Sequence, residues 1–116
     1  MKRKGEAIVH DLIKLDVQGA VAIITMNRPD QLNPLGKAGD GPAFRDVTEE
    51  ITSNPDIRCA ILTGAGRAFS AGGDLKAMKE RSGPFGGNPA QIREGYTKNI
   101  HLIVNSLWSF ELPLIA

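Results

Sequence analysis

The stretch Leu62-Thr63-Gly64-Ala65-Gly66-Arg67-Ala68-Phe69-Ser70-Ala71-Gly72-Gly73-Asp74-Leu75-Lys76 gathers residue types that can hold a negatively charged oxygen. An apolar run leads into glycines, then a turn of small residues, then a helix start. Gly72 and Gly73 put no side chain between backbone and ligand, so their amide N–H groups can come close to an oxygen. The helix expected from Asp74 adds unpaired N–H donors and the positive end of its dipole. Such a site suits an oxygen that carries or develops charge. Where the charge appears only in a transition state, the arrangement is an oxyanion hole, and losing one donor costs about 2.7–4 kcal/mol. Asp74 opposes a developing anion unless its carboxylate turns back to cap its own helix, as Asp commonly does.

Other chemistries fit this stretch less well. Gly64-Ala65-Gly66-Arg67-Ala68-Phe69 breaks the dinucleotide pattern, because Phe69 stands where a glycine is needed. No Gly-Lys-Ser/Thr is present for a phosphate loop. Ala68-Phe69-Ser70-Ala71-Gly72 is half of a nucleophile elbow. Only His101 follows as a base, and Asp74 is too near Ser70 in sequence to orient it. On the loop alone, a plain strand-to-helix connection rich in small residues fits equally well. His10 and His101 have no second ligand at metal spacing, so no metal is expected.

The elements that must position this loop follow from patterning. Residues 8–26 read as a hairpin of β-branched residues turning at Gln18-Gly19, closed by Asn27-Arg28-Pro29-Asp30. Residues 31–41 read as loop. Pro42 suits a first helical residue, and Phe44, Val47 and Ile51 give the apolar stripe of a short helix ended by Asn54-Pro55. Residues 57–63 are apolar without strict alternation, which suits a parallel strand covered on both faces. Cys59 lies in that run and is expected as a core thiol. A brief helix is expected over 74–80, a mobile surface loop over 81–89, and one long amphipathic helix over 89–110. Leu114-Ile115-Ala116 reads as a strand just starting.

With 116 residues the chain suits one domain. Its net charge of +1 argues against a nucleic-acid partner. Nothing approaches the ~20 apolar residues of a membrane span. Lys2-Arg3-Lys4 is followed at once by Glu6, so residues 1–7 read as a disordered tail of a cytoplasmic protein rather than a signal peptide. A single cysteine makes no internal disulfide and fits a reducing compartment.

Three stretches resemble the crotonase (enoyl-CoA hydratase/isomerase) family. They are Val21-Ala22-Ile23-Ile24-Thr25-Met26-Asn27-Arg28-Pro29 with Leu32-Asn33; Asp56-Ile57-Arg58-Cys59-Ala60-Ile61-Leu62-Thr63-Gly64; and Arg67 through Lys76. They stand in the family's order and at about its spacing, and residues 111–116 resemble the approach to its next strand. The resemblance runs from about Ile8 through nearly the whole chain but covers less than half of a usual member.

The resemblance implies an α/β fold, a crotonase-like spiral of strand-strand-helix repeats of which residues 1–116 are the N-terminal portion. It implies a lyase of fatty acid metabolism that takes a coenzyme A thioester as substrate, without a separate cofactor, and a homo-oligomer, trimer or hexamer. Gly73 would give the first of two oxyanion N–H donors, and the alanine frequent there in the family would serve as well. Ala71, Gly72, Asp74, Leu75 and Lys76 would line the adenine and pantetheine side, Gln31 and Leu32 would add weaker contacts, and Met78 would lie near the acyl pocket. Asp30, Gln31 and Pro34 depart from the residues the family often carries. The second donor and the proton-handling glutamates are expected beyond residue 116, and of the 13 acidic residues only Asp74 falls in the expected site. The chain is therefore expected to be part of a longer protein and inactive alone. Within the resemblance, thioester hydrolase or decarboxylase chemistry and a non-catalytic binding or oligomerisation module remain alternatives.

Overall fold

Residues 11–116 are described by the structure, a computed structural model. The expected tail, Ile8 and His10 lie outside them. Strand β1 (Ile13–Gln18) and strand β2 (Val21–Met26) pair antiparallel, with Gln18 opposite Val21. Gly19 takes φ +61 as the first residue of the two-residue turn. A glycine-first turn of this kind matches the twist of the flanking strands.

A 3-10 turn (Pro29–Gln31) and short strand β3 (Pro34–Leu35) follow, then helix α1 (Asp40–Ser53). Strand β4 (Cys59–Gly64) lies parallel to β2, and short strand β5 (Gly72–Gly73) lies parallel to β3. Helix α2 (Leu75–Glu80) comes next. The order long strand, short strand, helix thus occurs twice, each pass adding one strand to each of two sheets. Helices α3 (Pro89–Lys98) and α4 (Ile100–Trp108) then lead to β6 (Leu114–Ile115), which extends the main sheet beside β4.

Alternation decides the core. Ala22, Ile24 and Met26 of β2, Ala60 and Leu62 of β4, and Ile13 and Leu15 of β1 are buried against Ala43, Phe44, Val47 and Ile51 of α1. Ile103 of α4 joins them. The opposite face of β2 and β4 is only half-buried. The expected coverage of both faces of 57–63 is therefore not met among the described residues. Cys59 sits on that half-buried face rather than in the core.

Three boundaries differ from the sequence expectation, two for a tertiary reason and one for a local one. Residues 31–41 are not all loop, because β3 forms there by pairing with β5, far along the chain. Helix α1 begins at Asp40, two residues before Pro42, because the Asp40 carboxylate accepts the N–H groups of Gly36 and Lys37 at 2.9 Å each. The long helix breaks at Asn99, which leaves helical geometry at φ −129, ψ −87. Its buried side chain accepts the Gly41 N–H at 2.6 Å and donates to the Lys37 carbonyl at 2.9 Å. A Cβ on Gly41 would stand 2.7 Å from Asn99 Cα, so the two elements touch backbone to backbone.

Asn99→Ala leaves the buried Gly41 N–H without an acceptor. It is expected to destabilise by about 1–3 kcal/mol, read from urea unfolding. A change below about 0.5 kcal/mol, the level of an ordinary surface substitution, would contradict this role.

The stretch 81–89 is anchored rather than wholly loop. A 3-10 turn (Gly83–Phe85) buries Phe85, whose ring meets Tyr96 edge-on at 5.3 Å between centroids. No described helix is long and apolar enough to cross a membrane.

Candidate functional site

The loop after β4 is held from below by one side chain. Asn33 is fully buried, at 0% exposure, and stands at φ +53 directly after Leu32 at φ +63. Two successive left-handed residues reverse the chain after the 3-10 turn, and asparagine tolerates that conformation better than most. Asn33 Oδ1 accepts the Arg28 N–H at 2.7 Å, and Nδ2 donates to the carbonyls of Ala65 (3.0 Å), Ala68 (3.0 Å) and Phe69 (3.2 Å). Gly64 has no room for a side chain, since a Cβ there would lie 2.3 Å from the Phe69 carbonyl oxygen.

Arg28 fixes the other side of this turn. Its guanidinium, 6% exposed, binds both Asp40 oxygens at 2.8 and 2.9 Å, and reaches Asp11 at 2.7 Å and the Pro34 carbonyl at 3.3 Å. Burial pulls the Arg28 pKa down, but Asp40 and Asp11 outweigh it and raise the group above its ordinary value. The hydrogen bond from Arg28, reinforced by its charge, holds the exposed Asp11 carboxyl below its ordinary value.

Strands β3 and β5 then aim the amides. The Ala71 N–H donates to the Leu32 carbonyl at 2.7 Å, and the Asp74 N–H to the Leu35 carbonyl at 2.8 Å. The Ser70 hydroxyl donates to the Asn33 carbonyl at 2.7 Å and accepts the Gly72 N–H at 3.0 Å. Amides along a strand point alternately to its two sides. With Asp74 bonded to β3, the Gly73 N–H points away from β3, and among the described residues it meets no acceptor. Gly72 takes φ +89, a conformation that favours glycine.

The Asp74 carboxylate turns back, as anticipated, and accepts the Ala77 N–H at 3.1 Å. Helix α2 has only six residues. Among the described residues the Gly73 amide, like those of Leu75 and Lys76 in the first turn of α2, meets no acceptor.

Gln31, Ala71, Gly73, Asp74, Leu75 and Lys76 line one open cleft of about 680 Å³. Sequence reading missed Lys37 and Glu80, which also line it, so Asp74 is not the only acidic residue there. Leu32 and Gly72 hold its floor through backbone bonds rather than lining it. Met78 lines a second pocket of about 550 Å³, and its Cε lies 2.7 Å from where a Cβ on Gly73 would stand. That methyl ends a flexible side chain and can move aside.

Ser70 is spent on bonds within the loop, while His101 stands exposed on α4 with its ring 5.9 Å from Tyr96. The half-elbow is therefore not assembled. Among the described residues no three His, Cys, Asp or Glu side chains gather as a metal-binding group.

Comparison with known proteins adds an independent line. A family model for enoyl-CoA hydratase/isomerase matches residues 16–116. A probable enoyl-CoA hydratase of Mycobacterium tuberculosis is 36% identical over 84 residues, covering 72% of this chain and 31% of that protein. The (E)-benzylidenesuccinyl-CoA hydratase of Thauera aromatica is 41% identical over 68 residues, covering 55% of this chain and 25% of its own. The crystal structure of an enoyl-CoA hydratase/isomerase from Mycobacterium paratuberculosis matches with a TM-score of 0.69 at 33% identity, over 89% of this chain and 39% of that one. The chain spans between a quarter and two fifths of the length of these relatives. The likeness covers most of the chain, so the crotonase-like α/β fold expected from the sequence is the fold found.

Proposed function

The chain belongs to the enoyl-CoA hydratase/isomerase family, and from that premise we propose that it forms the coenzyme A-facing part of an acyl-CoA site. The observation that carries this reading is the Gly73 N–H, directed away from β3 beside the cleft while its neighbours' N–H groups are taken. A thioester carbonyl placed there receives one hydrogen bond, which strengthens as the oxygen gains charge on the way to an enolate. Lys37 and Lys76 offer positive charge to the anionic coenzyme A arm. Ala71 and Leu75 give it apolar contact, and Met78 bounds the acyl side. Gln31 adds a polar contact at the rim, and Leu32 contributes by holding Ala71.

Among the described residues, no free carboxylate stands beside the Gly73 N–H to move a proton. Asp74 is committed to its helix cap, and Glu80 stands exposed at the far end of α2. The second oxyanion donor and the general acid-base groups are assigned to residues beyond this chain, and assembly as a trimer or hexamer belongs to the same proposal. Because the Asp74 cap leaves no proton carrier at the donor, binding without turnover is the second reading for this chain alone.

The test is a titration of the 15N-labelled chain with crotonyl-CoA and with free coenzyme A. Both are expected to shift the amides of residues 71–76, and only the thioester is expected to move the Gly73 proton downfield. Shifts confined to the hollow between α1 and α4, around Thr48 and Leu102, would overturn the assignment. Loss of the enoyl absorbance with the chain alone would contradict binding without turnover.

A further inference from the structure

Gly73 lines one cavity and a second lies across Met78 from it, and a thioester has two arms. The cleft on one side is lined by Gln31, Lys37, Asp74, Lys76 and Glu80, a polar wall suited to a hydrophilic arm. The pocket on the other side is walled by Met78, Phe85, Ile92 and Tyr96, with Phe85 buried and held edge-on against Tyr96. Met78 is the partition, because its methyl packs over Gly73 while it also lines the pocket. An apolar acyl group belongs on the aromatic side.

That pocket is not apolar throughout. Arg81 and Arg93 line it as well, from the end of α2 and from α3. Among the described residues neither pairs with a carboxylate, whereas Arg28, Arg45 and Lys98 each do. Arg81 is also held at φ +51 as the cap that ends α2, an uncommon conformation for a side-chain-bearing residue. Its N–H is bonded back to the Ala77 and Met78 carbonyls, which fixes its Cα beside the pocket. Two cations beside an apolar chamber match a ligand that is apolar along its length and anionic at its far end.

We infer that the acyl group taken by this site ends in a carboxylate, held by Arg81 and Arg93 beyond the pocket walled by Met78 and Phe85. The inference rests on the acyl-CoA reading and deepens it to a substrate class, the monothioester of a dicarboxylic acid. The carbonyl lies at Gly73, the coenzyme A arm runs along the cleft, and the distal carboxylate reaches the guanidinium pair.

The experiment compares glutaryl-CoA with pentanoyl-CoA, equal in carbon number and differing in the terminal carboxylate. Binding to the chain is measured by calorimetry at low salt, where exposed charges are least screened. Glutaryl-CoA is expected to bind about fivefold more tightly, the scale of an exposed ion pair. The double variant Arg81→Gln/Arg93→Gln is expected to lose that preference and keep its affinity for pentanoyl-CoA. Both arginines are exposed, and an unchanged circular dichroism spectrum checks that the variant folds. Equal affinity for the two thioesters, or a preference that survives in the double variant, would overturn the inference while leaving the acyl-CoA site standing. Failure of both thioesters to bind would remove the site and the inference together.

Discussion

Asn33→Ala is expected to destabilise the chain by about 3–5 kcal/mol. Asn33 Nδ2 serves the carbonyls of Ala65, Ala68 and Phe69, while Oδ1 holds the Arg28 N–H. Removing it strands a buried N–H and three carbonyls, at about 1–3 kcal/mol for each group that water does not reach. Alanine at φ +53 adds the left-handed penalty of about 1–2 kcal/mol. Partial hydration of the loop offsets some of this. Asn33→Asp keeps the shape but turns a donor into an anion facing three carbonyl oxygens, so it is expected to be at least as damaging. Urea unfolding of both variants reads the effect. A loss below about 1 kcal/mol for either would mean that the loop is held by something else.

The second large effect lies at Asp40, 2% exposed and bonded to a guanidinium that is itself almost covered. Asp40→Ala leaves Arg28 buried with only the exposed Asp11 as counter-charge, and strands the Gly36 and Lys37 N–H groups. Breaking one half of a buried pair costs about 3–5 kcal/mol. Asp40→Asn keeps one oxygen for those two N–H groups and is expected to fall between the wild type and the alanine variant. Exchanging Arg28 as well, in Arg28→Met/Asp40→Ala, is expected to recover part of the loss, because no unpaired charge then remains. A midpoint in urea for Asp40→Ala within error of the wild type would refute the structural role of the pair.

What could be read from the residues depended on how far apart the partners stand. The hairpin is legible because alternation in Val21–Met26 and a glycine at the turn are local signals. The Asp74 cap is legible because its partner Ala77 lies three residues on. Asn99 is different. Ile92, Tyr96, Ile100 and Ile103 keep helical spacing straight through it, and only the amide of Gly41, far back in the chain, reveals why the helix stops there. Strands β3 and β5 have two residues each, too few for any period to show, and exist only as a pair.

The site divides along the same line. The glycines, the capping aspartate and Lys76 are contiguous, so residues 71–76 stand out as a group. Lys37 and Glu80 are brought to the cleft by the fold, and no spacing rule joins them to Gly73. Asn33 carries part of the family resemblance, but its place beneath the loop depends on carbonyls more than thirty residues later. Phe85 is a lone aromatic among glycines and prolines, and its burial follows from Tyr96 rather than from its neighbours in sequence.

The central claim is one hydrogen bond, from the Gly73 N–H to the carbonyl oxygen of a bound thioester. Difference infrared spectroscopy of crotonyl-CoA labelled with 13C at the carbonyl reads that bond directly, since a donor at the oxygen lowers the stretching frequency. The bound carbonyl is expected to shift down in the wild type and in Gly73→Ala, and to stay at its solution frequency in Gly73→Pro, which has no N–H to give. A shift that persists undiminished in Gly73→Pro, with the thioester still bound in the cleft, would contradict the account.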